Sequence, residues 1–325
     1  WRGIEAARVS PYRRMCVWDA ASGAELAFDA AREGRAQLGW IVENNLVART
    51  LWEALDRAGV RRMCPAHIES FTQRDDRVVL ELGGGEILAA ALLVIADGAG
   101  SKLREHAGIE VRGRDYHQRA VVAHIATERP HEKIAWQRFA HEGPIALLPL
   151  ADGRSSIVWS LPEARAREVL TMDDATFCEA AGIASDFRLG CITATTSRAS
   201  FPLRLQMARR FAAGRCVLIG DAAHVVHPLA GQGANLGLRD VAELTDVLGD
   251  ARSAGRDFTA AHVLQRYARR RRAPSVLDAH AFDAIERMFA WQTPGWSALR
   301  GLGLHAFDAI GPVKRKLADH AAGRH

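Results

Sequence analysis

The chain has 325 residues, 48% hydrophobic and 25% charged, enough to build a sizeable core as one large domain or two closely packed ones. Its formal net charge of +5 rests on scattered arginines, with Lys102, Lys133, Lys314 and Lys316 the only lysines, and it lacks the basic and aromatic stripe of a nucleic-acid binder. No run approaches the ~18 apolar residues of a membrane span, and the opening WRGIEAARVSPYRRM has no apolar stretch of a secretion signal.

In chain order, Cys16 to Asp19 and Glu25 to Phe28 flank Ser22-Gly23, a hairpin signal. LGWIVENN leads into a helical pattern carrying Leu46, Leu51, Trp52 and Leu55. Arg77 to Leu82 reads as a strand before the turn Gly83 to Gly85. LLVIADG then reads as a buried strand stopping at Asp97-Gly98, where a parallel sheet offers its ligand edge. Segments 119–126, 134–141, 145–149 and 154–160 predict an antiparallel meander, followed by helices near 163–170 and 173–182. β-like pieces continue through Phe201-Pro202-Leu203. From Arg215 the pattern returns to α/β. The tail from Phe258 reads as helix broken by Pro274, Pro294 and Pro312. Five widely spaced cysteines (Cys16, Cys64, Cys178, Cys191, Cys216) without a CxxC pair suggest neither disulfides nor zinc, and fit a reducing cytoplasm.

The segment LIGDAAHVVHPLAGQGANLGLRD, Leu218 to Asp240, carries the chemistry. An apolar strand delivers Gly220-Asp221 at its carboxyl end, and an ionised carboxylate there can accept hydrogen bonds from the hydroxyls of a sugar-like chain. Gly231 and Gly233 open an amphipathic helix whose expected apolar face is Leu238, Val241, Leu244 and Leu248. Its N-terminus offers N–H groups and positive dipole to an electron-rich ring edge, with glycine allowing close approach.

This segment resembles the second flavin-binding motif of class A FAD-dependent aromatic hydroxylases, which have the para-hydroxybenzoate hydroxylase fold. Its wording is most similar to the ubiquinone-biosynthesis hydroxylases. IVENN…TLW, LLVIADGAGSKLR, AVVAHIATERPHEKIAWQRFAHEGPIALLPL and RYARRRR follow in the order of that subgroup and span nearly the whole chain.

The resemblance implies a mixed α/β fold, a three-layer FAD-binding part interrupted by an antiparallel β-sheet substrate lobe. The expected division is 1–110 and 201–255 for FAD, 111–200 for the lobe and 256–325 for C-terminal helices. FAD would be the cofactor and NAD(P)H the co-substrate. A polyprenylated phenol would be hydroxylated with O2, in the cytoplasm or peripherally at the inner membrane face. Asp221, with Gly220, would hold the ribityl chain. Gly231, Gln232, Gly233, Ala234 and Asn235 would face the flavin pyrimidine edge, and Pro228 would lie beside the reactive edge. Asp97, Gly98 and Arg104, with Ser101, correspond to the motif near the diphosphate.

Two departures stand out. Ile95 replaces the family's glycine before Ala-Asp-Gly and could disturb that turn. No GxGxxG follows a strand, so the family's N-terminal βαβ unit is expected to lie outside this chain. The rival readings are a hydroxylase of a small soluble aromatic, and a catalytically silent scaffold or lipid-binding subunit of a quinone-biosynthesis complex. His224 and His227 read as packing or hydrogen-bonding groups rather than a metal pair. Trp136, Phe139 and Trp159 are candidates for core or cavity. The apolar tail residues Phe282, Ile285, Phe289, Leu299, Leu302 and Phe307 read first as packing on the main body, and otherwise as a lipid- or partner-facing surface with Arg300, Lys314, Arg315 and Lys316 as its basic partners. The run Arg269 to Arg272 reads as a solvated helix face, with a surface for anionic lipid or an acidic partner as the alternative.

Overall fold

The Ser22-Gly23 hairpin forms, with strands Arg14–Asp19 and Glu25–Asp29 pairing Trp18 opposite Glu25. The Asp19 carboxylate closes its turn by accepting from the Ser22 N–H at 3.1 Å and the Ser22 hydroxyl at 2.6 Å. These features come from a computed structural model that describes residues 1–226, 233–290 and 300–303. The chain divides into two units, Trp1–Arg62 with His117–Leu203 and Glu286–His325, and Met63–Tyr116 with Arg204–Ile285.

In the first unit, Arg14–Asp19 lies parallel to Ile134–Ala140. The sheet continues antiparallel through Gly143–Pro149 and Ser155–Pro162 to the strand Val111–Thr127. Residues 1–62 therefore join the β-rich lobe, whereas the sequence division kept them with everything up to 110. The cause is a parallel pairing between segments more than a hundred positions apart, which no local pattern encodes.

Strand alternation gives this sheet two unlike faces. Val121, Ile125, Ile145, Leu147, Ile157 and Trp159 are buried beneath the helices Glu163–Thr171 and Asp174–Ala184, which add Ala166, Val169, Phe177 and Ala181. Each large side chain so buried contributes about 1.5–3 kcal/mol. On the opposite face Val122, His124, Ala146, Leu148 and Val158 are only half-buried. Trp159 is thus core. Trp136 packs edge-on against Trp18 and under the Arg188 guanidinium, and Phe139 stacks on Phe289 at 3.7 Å. The helix Asn44–Arg57 forms as expected and buries Leu46, leaving Leu51 and Trp52 exposed.

The second unit holds the meander Ile68–Gln73, Val78–Leu82 and Ile87–Ala90, and a small sheet in which Leu93–Ile95 runs parallel to Cys216–Leu218. The helices Gly233–Ser253 and Ala261–Ala290 share one core with both sheets, with Val78, Leu80, Ile95, Leu218, Leu244 and Tyr267 among its members. Burial pushes the Cys216 thiol up to about 11, so it packs as a small apolar group.

At three places the folded chain departs from its sequence pattern. The buried face of Gly233–Ser253 is Leu236, Asp240, Leu244, Val247 and Ala251, while Leu238 and Val241 are exposed. A charged residue inside the apolar stripe rotates the true face away from the one hydropathy selects. Pro274 does not break the helix Ala261–Ala290. Its ring removes one backbone bond, but Arg271, Ser275, Asp278 and Ala279 are buried around it, and the Ser275 hydroxyl donates to the Arg271 carbonyl at 2.8 Å. Of the arginine run, Arg269, Arg270 and Arg272 are exposed as expected, but Arg271 is buried. Pro294, Pro312, Leu299 and Phe307 lie outside the described residues. No described helix is long and apolar enough to cross a membrane.

Candidate functional site

Parallel pairing brings two strand ends to the same sheet edge. Leu218 stands beside Ile95, and the Ile219 N–H donates to the Ile95 carbonyl at 3.1 Å. The chain then turns at Asp97-Gly98 and at Gly220-Asp221, with Gly98 at φ +89 and Gly220 at φ +60. Both are left-handed conformations that glycine adopts without strain. Asp97 and Asp221 are exposed at this edge. Ile95 points into the core, fully buried, and the turn after it keeps its left-handed glycine. The departure from the family pattern is absorbed by packing.

Ser101 caps the short helix Lys102–His106, its hydroxyl accepting from the Arg104 N–H at 3.0 Å, and Asp97 accepts from the Leu103 N–H at 3.4 Å. Arg104 is buried. Its guanidinium donates to the carbonyls of Ala99 at 3.2 Å and Ala222 at 3.0 Å, so it ties the two loops together from beneath.

Behind the Gly220 turn lies a charged network that sequence reading missed. Asp240, fully buried, accepts from the Gly220 N–H at 2.9 Å and from His224 Nε2 at 2.6 Å with one oxygen. Its other oxygen accepts from Arg271 Nε at 2.7 Å. His224 Nδ1 has no hydrogen-bond partner among the described residues. The nearby Tyr267 hydroxyl donates to the Leu218 carbonyl at 2.7 Å, and burial raises its pKa far above the usual phenol range. One signal was available: Asp240 interrupts the apolar repeat Leu236, Leu244, Val247 at a core position. Arg271 carried none, standing among identical neighbours.

Asp221, Gly220, Asp97, Gly98 and Arg104 are thus gathered at one edge. Gly233, Ala234 and Asn235 start the helix that meets it. That approach is close: a Cβ on Gly237 would sit 3.2 Å from the Gly220 Cα, so Gly237 serves packing. Pro228, Gly231, Gln232 and His227 lie outside the described residues.

Around Gly98, Gly100, Gly220 and Gly233 an added Cβ would meet no atom of the described residues within 4 Å. Open main chain beside an exposed carboxylate and a helix N-terminus fits the ribityl chain and flat ring of FAD. Gly233→Val is therefore expected to fold normally, because its side chain enters open space. It is expected to weaken FAD binding about tenfold by holding the ring off the helix N–H groups. Flavin fluorescence titration alongside thermal unfolding checks this, and wild-type affinity would remove the helix mouth from the site.

Residues 10–277 match the FAD binding domain family. That match makes the chain a FAD-binding flavoprotein. Over 326 residues the chain is 38% identical to the 3-demethoxyubiquinol 3-hydroxylase of Escherichia coli, covering 99% of this chain and 82% of that protein. It is 32% identical over 371 residues to the mitochondrial ubiquinone biosynthesis monooxygenase COQ6 of Homo sapiens, covering 99% and 78%. The chain belongs to the FAD-dependent hydroxylases of ubiquinone biosynthesis. Among solved structures, p-nitrophenol 4-monooxygenase PnpA of Pseudomonas putida superposes with TM-score 0.75 at 18% identity, covering 99% of this chain and 83% of that one. HpxO of Klebsiella pneumoniae, complexed with FAD and uric acid, gives 0.74 at 17% identity, covering 98% and 82%. These two likenesses bear on the fold.

Proposed function

We propose that this hydroxylase adds a hydroxyl group to the aromatic ring of a polyprenylated phenol, with NAD(P)H as electron donor and O2 as oxidant. The observation that carries it is the sheet edge where Asp97-Gly98 and Gly220-Asp221 end side by side, in a chain so similar to ubiquinone hydroxylases. When bound, FAD would supply the two-electron chemistry that couples nicotinamide oxidation to hydroxylation of the ring by O2, one oxygen atom entering the product and the other leaving as water.

The protein's part is holding and polarising. The Asp221 carboxylate accepts hydrogen bonds from the ribityl hydroxyls. Gly233, Ala234 and Asn235 present N–H groups at the start of a 21-residue helix, stabilising negative charge on the pyrimidine edge by about 0.3–1 kcal/mol. Asp97 and Gly98 border the diphosphate, with Arg104 holding their loop. The half-open apolar sheet face of Val122, Ala146, Leu148 and Val158 suits an apolar substrate. A polyprenyl tail partitions into lipid, so enzyme and substrate meet at the inner face of the cytoplasmic membrane.

Asp221→Ala is expected to weaken FAD binding about ten- to a hundredfold, the cost of one charged acceptor, ~1.5–3 kcal/mol. Fluorescence titration measures it, and an unchanged dissociation constant would take Asp221 out of the site. The substrate class is tested by NAD(P)H oxidation and oxygen insertion with polyprenylated and short-chain phenols. Stimulation and product are expected with the polyprenylated phenol. Equal turnover of a soluble aromatic acid would favour a small-substrate hydroxylase, and bound flavin with no turnover of either would favour a scaffold.

A further inference from the structure

We propose that Asp240, held by Arg271 and His224, is the positioning residue of the flavin turn, fixing the main chain on which Asp221 is presented. The inference rests on the reading that Asp221 contacts FAD.

Asp240 lies on the inward face of the helix Gly233–Ser253, with Leu236 and Leu244 one turn to either side. An apolar residue there would extend the core without desolvating a charge, and buried ion pairs give little net stability over well-packed apolar side chains. The gain must come from what the carboxylate orients. Its donors, besides Arg271 and His224, include the main-chain N–H of Gly220. Gly220 is the left-handed residue immediately before Asp221, and glycine is the residue least able to hold its own conformation.

The far end of the turn is also held. The Ala222 carbonyl accepts from buried Arg104 at 3.0 Å, and the Ala223 N–H donates to the Gly220 carbonyl at 2.8 Å. Asp221 is therefore an exposed side chain between two peptide groups pinned by buried charges. Gly237 lets the helix come near enough for Asp240 to reach. A contact fixed before the ligand arrives loses less entropy on binding, and affinity follows. Removing the fixing residue should weaken FAD binding although no atom of Asp240 faces solvent.

The test uses the FAD-bound holoenzyme. FAD dissociation constants and unfolding of the flavin-free protein are measured for Asp240→Asn, and the visible circular dichroism of bound flavin is recorded. Asp19→Asn, which removes a comparable buried ion pair in the other unit, serves as control. Asp240→Asn is expected to raise the dissociation constant by about tenfold or more and to alter the flavin dichroism. The control is expected to lose similar stability with affinity within about threefold. If Asp240→Asn yields no folded protein, His224→Leu, which removes the Nε2 donor to Asp240, replaces it with about three- to tenfold expected. Wild-type affinity in these variants, or a loss no larger than the control's, overturns the proposal. Asp221→Ala is measured in parallel. If it weakens FAD and the Asp240 variant does not, only the positioning role falls; if neither does, the flavin reading falls too.

Discussion

Replacing Asp240 with alanine is expected to lower the unfolding free energy of the flavin-free protein by about 3–5 kcal/mol, as when one partner of a buried ion pair is removed. The substitution leaves the Arg271 guanidinium, itself buried, without its counter-charge, and removes the acceptor of the Gly220 N–H and of His224. The remaining contacts of Arg271, to the Leu236 carbonyl at 3.4 Å and the Ser275 hydroxyl at 3.5 Å, are too long to compensate. Chemical denaturation with the Arg271→Met partner completes the cycle. The double variant is expected to recover part of the loss, since a buried cation without a counter-ion costs more than an apolar replacement. A loss below about 1 kcal/mol in Asp240→Ala would mean that water reaches the network and screens it.

Asp19→Ala is expected to cost a similar amount, about 3–5 kcal/mol, in the first unit. The sequence groups Arg300 with Lys314, Arg315 and Lys316 as basic partners of the tail should it face lipid or another protein rather than pack on the main body. The structure turns it inward instead. Arg300 is buried and bidentate on Asp19, with Nε to one oxygen at 3.0 Å and Nη2 to the other at 2.8 Å, and its Nη1 donates to the Met288 and Phe289 carbonyls. Since the same carboxylate closes the Ser22 turn, its loss loosens both the hairpin and the C-terminal contact. Denaturation combined with limited proteolysis reads both effects, with cleavage after residue 286 expected to accelerate. Unchanged cleavage with unchanged stability would show that the Arg300 clamp carries no load. Lys314, Arg315 and Lys316 lie outside the described residues.

These two ion pairs mark the boundary of what the amino-acid order reveals. The hairpin at Ser22-Gly23, the antiparallel meander from residue 119 to 160 and the strands ending at Asp97 and Gly220 were legible locally. Each is signalled by period-two alternation and by glycine or Asp-Gly turns within a few residues. The flavin motif was legible for the same reason, because strand, turn and helix follow one another within 23 residues, Leu218 to Asp240.

By itself, then, the sequence determined the family, the α/β character interrupted by a β-rich lobe, and the strand-end carboxylates proposed to meet the cofactor. Only the tertiary structure decided that Arg14–Asp19 joins the lobe by parallel pairing with Ile134–Ala140, and that Pro274 sits within a continuous helix. It also decided that Arg271, alone in its run, points inward to Asp240, and that Arg300 meets Asp19. Hydropathy periodicity records the average environment of a face. The direction of one charged side chain depends on which opposite charge, 31 or 281 positions away, folding brings within hydrogen-bond distance.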